Sequence, residues 1–313
     1  MKPVPKINRR VLVSVKNNTQ LYLMALPAAA LFFCFSYMPL VGLIIAFKRY
    51  TFDGGIFGSA WADPWYRNFQ ILFNNPDAFR AMMNTLFLNA LFIGVGTAFA
   101  LILSLCFNEI RSPVYKKITQ SITFLPFFIS TVVVGVLVSG VLAYETGSLN
   151  GFLSSIGRQK INFYMQPSYW PAIMLIVNIW KGAGYSSIVY LAAISGIDGA
   201  YYEAAEIDGA SHFQQIWYVT LPLLRPTVII LTIMAVGKIM NADFGLFFNV
   251  TRDIPTLYPT VDVIDTYIYR ALRKLGDVGI SSATGFFQSV VSFILVLTSN
   301  RIAEKIEEGS ALF

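Results

Sequence analysis

The chain has 313 residues, of which 56% are hydrophobic and 13% are charged, whereas water-soluble domains have about 25% charged residues. The mean hydropathy of +0.60 indicates that the bilayer is the solvent. The net charge of +6 comes from scattered basic residues that form no aromatic and arginine platform, which excludes nucleic acid as a partner.

Six apolar stretches are long enough for a membrane helix, which needs about 20 mostly apolar residues because its backbone must be satisfied internally. They predict an all-α integral membrane protein with one domain over residues 21–303 and tails at 1–20 and 304–313. The run from Leu21 to Phe47 is too long for a signal-peptide core, so we expect it to stay attached. The predicted transmembrane helices are 21–47, 84–107, 121–143, 171–195, 222–244 and 283–303.

Lysine and arginine near the span ends favour a cytoplasmic amino terminus. Basic residues are dense in the leading tail and in the short second connection, whereas those on the opposite side lie mostly in longer connections. Six crossings then make both termini cytoplasmic, and four crossings place the connection 196–221 in the cytoplasm. The residues that decide this are Lys2, Lys6, Arg9, Arg10, Lys16, Arg111, Lys116 and Lys117.

The connections predicted outside have interfacial features. Asp77 is expected to cap the helix that leads into the second span. Apolar residues recur at helical spacing in 262–274, with charge on the other face, which predicts a short helix along the outer surface. Aromatic residues suited to the headgroup layer lie in the connection 48–83, namely Trp61, Trp65 and Tyr66.

Small and special residues inside the spans indicate packing rather than chemistry. Cys34 and Cys106 lie in apolar runs and are interpreted as small apolar residues, not as a disulfide or metal pair. Proline and paired glycines within spans predict close helix packing and local kinks, with a moving gate as the alternative. These residues are Pro126, Gly94, Gly96, Gly182 and Gly184.

The connection before the fifth span differs from its neighbours, because residues 203–226 read EAAEIDGASHFQQIWYVTLPLLRP. Residues 203–206 favour a helix, Gly209 costs about 1 kcal/mol inside one, and residues 213–218 favour a second helical piece. We therefore expect a helix, a bend and a helix. The entry to the fifth span is marked by Pro222 and Pro226, which a first helical turn tolerates.

This stretch has the form of a docking element. Its small residues leave the backbone open to close approach, and Glu203 and Asp208 offer carboxylates to basic groups of a partner. The alternative is a solvated loop that is helical without binding anything. His212, the single histidine of the chain, lies inside the element and is interpreted as a surface contact.

The pattern E-A-A-x-x-D-G-A followed by L-P-x-x-x-P resembles the cytoplasmic signature of permease subunits in binding-protein-dependent ABC importers. Further similarity to the sugar-permease branch lies in the first span, in Asn84–Thr85, and in the tracts IWKGAGYSSIVYLAAISGID and YPTVDVIDTYIYR. The chain is most similar to the polysaccharide or lipoprotein-type group, and to the larger maltose-type subunit without its extra spans and outer domain. The signature positions are Glu203, Ala204, Ala205, Asp208, Gly209, Ala210, Leu221, Pro222 and Pro226.

The resemblance implies a type I ABC importer permease fold in the bacterial cytoplasmic (inner) membrane. It also implies the partners: a second, different permease subunit, two ABC ATPase subunits and an extracytoplasmic solute-binding protein that delivers a carbohydrate. The loop 196–221, which contains His212, would be the coupling element. ATP-driven closure of the ATPases would switch the spans between inward-open and outward-open shapes.

The chain is expected to have no catalytic site of its own. No G-x-x-x-x-G-K-[ST] motif occurs in the sequence, so a phosphate cradle is absent and ATP and Mg belong to the partner ATPases. No set of Cys and His residues suits a metal or a Ser-His-Asp triad. We therefore expect no cofactor, no metal and no enzymatic activity.

Polar residues inside apolar spans are candidates for a substrate pathway because they are costly in lipid. Lys238 and Asn241, three positions apart on a helix, would face one cavity suited to sugar hydroxyls. Two alternatives stay open: Lys238 pairs with Asp243 or a carboxylate of another chain, and Lys181 stabilises helix packing or reaches toward an interface. The candidates are Asn178, Trp180, Lys181, Tyr185, Lys238, Asn241, Asp243 and Phe244.

Two other functional classes fit the sequence less well. An ion-coupled secondary transporter predicts inverted repeats and intramembrane acids, and the halves of this chain have no convincing similarity, with Asp243 the single acid of interest. A membrane enzyme needs convergent titratable groups, which this chain largely lacks.

Overall fold

A computed structural model describes residues 18–306, which form a bundle of helices. The basic residues of the leading tail and the segment 307–313 lie outside the described residues, so the orientation stays a prediction. The longer helices are α1 (Thr19–Phe47), α2 (Arg67–Asn74), α3 (Pro76–Glu109), α4 (Pro113–Phe128), α5 (Thr131–Leu142), α6 (Ser148–Ser155), α7 (Trp170–Ser195), α8 (Gly199–Ile207), α9 (His212–Val236), α10 (Phe244–Thr251), α11 (Ile264–Arg273) and α12 (Val278–Ile306).

The membrane-spanning set matches the all-α prediction. Among residues 18–306, five helices are long and apolar enough to cross a membrane, namely α1, α3, α7, α9 and α12. The pair α4 and α5 passes the same test together but is bent by 99°. The span predicted over 121–143 is therefore broken rather than a single straight helix.

The break between α4 and α5 has a local cause. Ser130 has extended backbone, and its hydroxyl accepts a hydrogen bond from the Val133 N–H, so it caps a new helix. Pro126 lacks an amide hydrogen and removes one backbone hydrogen bond from the last turn of α4. A capping serine after a proline thus turns one apolar stretch into two helices.

The fifth span also differs from its predicted bounds of 222–244. Helix α9 begins at His212, since the second helical piece of the acidic connection continues into the span through a π-helical turn at Ile216–Thr220. The Leu221 N–H donates to the Ile216 carbonyl there, and Pro222 has no N–H to donate. At its other end α9 stops at Val236, and the chain stays irregular until α10 begins at Phe244.

The core lies between α3, α5, α7 and α10. Its largest buried side chain is Trp170, whose indole N–H donates to the Phe163 carbonyl at 2.8 Å. Close packing of α7 on α4 requires Gly184, because a Cβ there would lie 2.1 Å from the Thr123 carbonyl oxygen. The packing interpretation therefore holds for Gly184, whereas a Cβ on Gly94, Gly96 or Gly182 would have nothing within 4 Å.

Much apolar surface remains on the outside of the isolated chain. Helix α4 has no buried residue, and α1 buries only Ile45 and Ala46 of its residues. Both cysteines are free and exposed on such apolar faces. A soluble protein rarely tolerates this exposure, so lipid or another membrane subunit covers these faces.

The connection after α10 contains the short helix predicted for residues 262–274. Helix α11 occupies Ile264–Arg273 and packs against α3 and α12. The cap of α3 is Asn75 rather than Asp77, since the Asn75 side chain accepts a hydrogen bond from the Asp77 N–H at 2.9 Å. Asp77 instead pairs with Arg80 at 2.7 Å.

Candidate functional site: the acidic loop and the polar break

The acidic loop, residues 196–221, has the predicted helix, bend and helix. Helix α8 ends in a Schellman motif, in which the N–H groups of Gly209 and Ala210 donate to the carbonyls of Glu206 and Ala205 at 3.0 and 2.9 Å. Gly209 has a φ of +77°, a conformation that costs glycine little and other residues more. The bend therefore has a defined geometry.

The second arm of the acidic loop is capped as well. Ser211 forms a capping box with Gln214, in which the Ser211 N–H donates to the Gln214 side-chain oxygen at 2.7 Å. Because the Schellman motif ends at the preceding residue, Ala210, few unsatisfied backbone groups remain in the turn. The loop is thus two short rigid arms at a fixed angle.

The acidic loop projects from the bundle. Helix α8 packs only weakly against the other described helices, and one side-chain contact is the 3.0 Å hydrogen bond between the hydroxyls of Tyr202 and Thr220. Ile207 at its tip is 87% exposed, and Glu203 and Asp208 are exposed too. Further exposed apolar residues on both arms are Tyr201, Phe213, Trp217 and Tyr218.

A contact that the sequence did not predict ties the acidic loop to the bundle. The His212 imidazole Nε2 contacts the Glu109 carboxylate Oε2, and Glu109 is the last residue of α3. His212 is mostly exposed, as expected of a surface contact, but it also has this intramolecular partner. The loop is therefore joined to three long helices, to α7 and α9 by chain continuity and to α3 by this pair.

The chain between α9 and α10, residues 237–243, is here named the polar break. Its carbonyls accept hydrogen bonds from side-chain amides of two spanning helices, Asn89 to Ile239 and Gln288 to Met240, both at 2.7 Å. The Ala242 N–H donates to the Asp265 carboxylate of α11 at 2.8 Å. Irregular backbone at membrane depth persists where neighbouring groups satisfy it in this way.

The polar break lies far from the acidic loop. Asn89 is roughly 30 Å along α3 from Glu109 at about 1.5 Å per residue, which is about one hydrocarbon thickness. With the acidic loop on the predicted cytoplasmic side, the polar break is at the outer part of the bundle. The side chains that hold it, Asn89, Gln288 and Asp265, are not among the residues predicted from the sequence. Amides inside apolar spans are the pattern that points to Asn89 and Gln288, whereas Asp265 lies on the short helix α11 and has no such signal.

The predicted helical pair of Lys238 and Asn241 is wrong, because both residues lie beyond the end of α9. The Asn241 side-chain oxygen accepts a hydrogen bond from the Ser292 hydroxyl at 3.1 Å. The Asp243 carboxylate caps α10 by accepting from the Leu246 N–H at 2.9 Å. The Lys238 ammonium is exposed, does not pair with Asp243, and has no hydrogen-bond partner within residues 18–306.

Lys181 has a structural position at the break between α4 and α5. Its ammonium donates to the carbonyls of Phe127 and Ile129 at 3.1 and 2.9 Å. These carbonyls end α4, where the helix dipole is negative and backbone acceptors lack partners. This geometry supports the helix-packing alternative for Lys181, since both acceptors are backbone groups of this chain.

The remaining candidates fall into three separate places. Asn178 and Tyr185 line a cavity of about 340 Å³ between α3, α7 and α9. Trp180 lies about 200° around α7 from Asn178, at about 100° per residue, and lines an apolar cavity of about 380 Å³ on another face. Phe244 packs against Phe248 and Tyr269. The predicted pathway residues thus do not converge on one site in this chain.

An ion-pair cluster fixes the connection between α10 and α11. Arg270 pairs with Asp253 at 3.3 Å and with Asp262 at 2.5 Å, and Lys274 pairs with Asp253 at 2.5 Å. Burial and the hydrogen bond to Asp253 raise the pKa of Tyr258 to about 12. Burial alone would raise the pKa of Asp253, but hydrogen bonds from Lys274 and Tyr258 and the charge of Arg270 outweigh it and lower that pKa.

The chain is similar to a known family of membrane transport proteins. The family model of the binding-protein-dependent transport system inner membrane component matches residues 96–307. The polygalacturonan/rhamnogalacturonan transport system permease protein YteP of Bacillus subtilis (strain 168) is 36% identical over 306 residues, 96% of this chain and 93% of that protein. Protein LplB of the same organism is 34% identical over 297 residues, covering 95% and 92% of the two chains.

A solved structure agrees with the fold. One similar chain comes from the crystal structure of a bacterial ABC transporter involved in the import of the acidic polysaccharide alginate. It is 38% identical with a TM-score of 0.86, and the match covers 96% of this chain and 100% of that chain. A second structure of a bacterial alginate ABC transporter, in complex with an alginate pentasaccharide-bound periplasmic protein, has the same identity and TM-score. The family resemblance and the fold expected from the sequence are thereby confirmed.

Proposed function

Because the chain belongs to the family of binding-protein-dependent transport system inner membrane components, we propose that it is a membrane subunit of an ATP-driven importer of carbohydrate. The substrate would be an oligosaccharide or a polysaccharide fragment delivered by an extracytoplasmic binding protein. The chain is a multi-pass permease, and it would form the pore with a second, different permease subunit.

The carbohydrate class is supported by the similar proteins. One is named for polygalacturonan and rhamnogalacturonan transport, and a solved transporter of the same fold imports alginate. Polygalacturonan, rhamnogalacturonan and alginate are all saccharide polymers that contain uronic acids. We therefore propose a carbohydrate with many hydroxyls and carboxylates as the substrate class of this chain.

The observation that carries the coupling proposal is the geometry of the acidic loop. It projects from the bundle with an exposed apolar tip at Ile207, it has capped and fixed arms, and it continues into α9. We assign the ATPase-coupling role to residues of the acidic loop and to the two prolines that follow it at the entry to the fifth span. They are Glu203, Ala204, Ala205, Asp208, Gly209, Ala210, His212, Leu221, Pro222 and Pro226.

In this mechanism the two ATPase subunits bind ATP and Mg, and their closure displaces the acidic loop. Because the loop is stiff, its displacement moves α9 directly and α3 through the His212–Glu109 contact. Movement of these helices changes the cavity between α3, α7 and α9, which would produce alternating access. Among the predicted pathway residues with polar side chains, four have no hydrogen-bond partner within residues 18–306, namely Asn178, Trp180, Tyr185 and Lys238.

The energy source separates this proposal from an ion-coupled transporter. In proteoliposomes with the complete complex and its binding protein, uptake should require Mg-ATP on the ATPase side and should persist when a proton ionophore collapses the gradient. A non-hydrolysable ATP analogue should not support repeated uptake. If uptake stops with ionophore while ATP is held constant, the ion-coupled alternative is favoured and this proposal fails.

A further inference from the structure

A cavity of about 340 Å³ lies at the end of the bundle predicted to be outside, between α1, α2 and α12. We name it the basic cavity, and the charged residues of its lining are Lys48, Arg49, Arg67 and Asp277. Helix α1 ends at Phe47 and α12 begins at Val278, and both are long and apolar enough to span the membrane. The basic cavity therefore lies where two spanning helices leave the hydrocarbon, at the level of the lipid headgroups.

Most of the charged side chains that line the basic cavity are positive, and two of them have no partner within residues 18–306. Arg49 and Arg67 are exposed, and neither has an ion-pair or hydrogen-bond partner for its guanidinium within residues 18–306. The Lys48 ammonium donates to the carbonyls of residues 56 and 57 at 2.8 and 3.0 Å, and these bonds hold it against the backbone that lines the cavity. Asp277 is the one acidic residue in the described lining, and its carboxylate accepts a hydrogen bond from the Ile280 N–H.

The basic cavity is built on a fixed frame. The buried side chain of Asn68 donates to the carbonyls of Ala46 and Lys48 at 2.9 and 3.0 Å, which joins α2 to the end of α1. A Cβ on Gly279 would lie 3.2 Å from the Asn68 amide, so the first turn of α12 also packs closely here. The positive end of the α12 dipole then adds to the field of the two arginines.

Arginines without partners in a fixed cavity suit an anion with several oxygens, because the guanidinium binds phosphate and carboxylate in a bidentate way. The surroundings favour a lipid as the source of that anion. Exposed aromatic side chains lie in the connection between α1 and α2, of which Phe52 lines the cavity itself, as at an interface between water and membrane. They are Phe52, Phe57, Trp61, Trp65 and Tyr66.

We propose that the basic cavity binds the phosphate of an anionic phospholipid headgroup through Arg49 and Arg67. Such a lipid would fasten the end of α1 to the start of α12, two helices that pack on each other. The proposal does not depend on the substrate or the energy source of transport. An acidic surface of an extracytoplasmic protein is the other occupant that the charge would suit, and lipid retention and binding-protein affinity distinguish the two.

The test uses the purified complete complex. Phosphatidylglycerol should be retained in native mass spectrometry and should raise the thermal unfolding midpoint, whereas phosphatidylcholine and inorganic phosphate should not. In the variant Arg49→Gln/Arg67→Gln the affinity for phosphatidylglycerol should fall at least about tenfold, because a charged hydrogen bond contributes about 1.5–3 kcal/mol. Arg158→Gln is the matched control, an exposed arginine away from the cavity, and should behave as wild type.

Equal retention of phosphatidylglycerol by wild type and the double variant would overturn the proposal. Stabilisation by inorganic phosphate equal to that by phosphatidylglycerol would also overturn it, in favour of a free-anion site. A loss of binding-protein affinity with unchanged lipid retention would assign the arginines to the protein partner instead. If the double variant does not assemble, Arg49→Gln alone and Arg67→Gln alone should each reduce retention.

Discussion

Replacing Glu203 by lysine together with Gly209 by proline should abolish uptake and the ATP hydrolysis that the loaded binding protein stimulates. Proline fixes φ near about −65°, whereas Gly209 has a φ of +77° and donates its N–H to Glu206. The bend between the two arms is then lost. Reversing the charge at Glu203 removes a carboxylate that we propose to face a basic group of the ATPase, and such losses cost about 2–5 kcal/mol, or at least about tenfold in affinity.

The matched control is Glu206→Lys. Glu206 is exposed on the same helix but occupies a variable position of the E-A-A-x-x-D-G-A pattern, so its variant should keep most of the uptake. Membrane insertion and the yield of the permease should be unchanged in both variants, since neither side chain is buried in the bundle. Normal uptake by the Glu203→Lys/Gly209→Pro variant would show that the acidic loop is not where the ATPase docks.

Lys181→Met should destabilise the permease rather than change its substrate range. It leaves two carbonyls at the end of α4 without their donor, which costs about 1–3 kcal/mol and should lower the midpoint of thermal unfolding by roughly 2–10 °C. Uptake should fall with the amount of folded complex. Lys181→Arg should recover much of the stability, because a guanidinium can also donate to two acceptors.

Lys238→Met is the matched control for Lys181→Met. Lys238 is an exposed lysine whose ammonium has no partner within residues 18–306, so its removal should leave the unfolding midpoint unchanged. If Lys181→Met keeps wild-type stability while the KM for uptake rises, Lys181 contacts substrate and our structural assignment is wrong.

The spans and the acidic loop were predictable because each rests on a local pattern. A long apolar run such as Leu21 to Phe47 forms a helix wherever the backbone must satisfy itself. Gly209 and Ser211 mark the end of one helix and the start of the next by residue type, and the structure has the corresponding Schellman motif and capping box. These features depend on residues within a few positions of each other.

A kink at Pro126 was predicted, but the new helix that starts after it and the polar break after α9 were not. Ser130 after Pro126 is a cap after a helix breaker, and hydropathy alone does not register it. The polar break persists because Asn89, Gln288 and Asp265 satisfy its backbone, and these partners are distant in sequence. An apolar window averages over such positions, so it predicts that a span exists but not that it is interrupted.

The candidate pathway was the least predictable part. Placing Lys238 and Asn241 on one helical face assumed that α9 continues to residue 244, whereas it ends at Val236. The contact between His212 and Glu109 joins residues far apart in the chain, and no local pattern points to it. Side chains that belong to different helices could be grouped only once the bundle was known.

The central claim is that the acidic loop contacts a separate ATPase in the cytoplasm. The most direct measurement places a photo-crosslinking amino acid at Ile207, which is 87% exposed, with Phe57 on the predicted outer side as the control position. Illumination of the assembled complex in membranes should join the ATPase subunit to position 207 and not to position 57. The account is contradicted if position 207 captures no ATPase, or if a cysteine there reacts with a membrane-impermeant reagent added from outside.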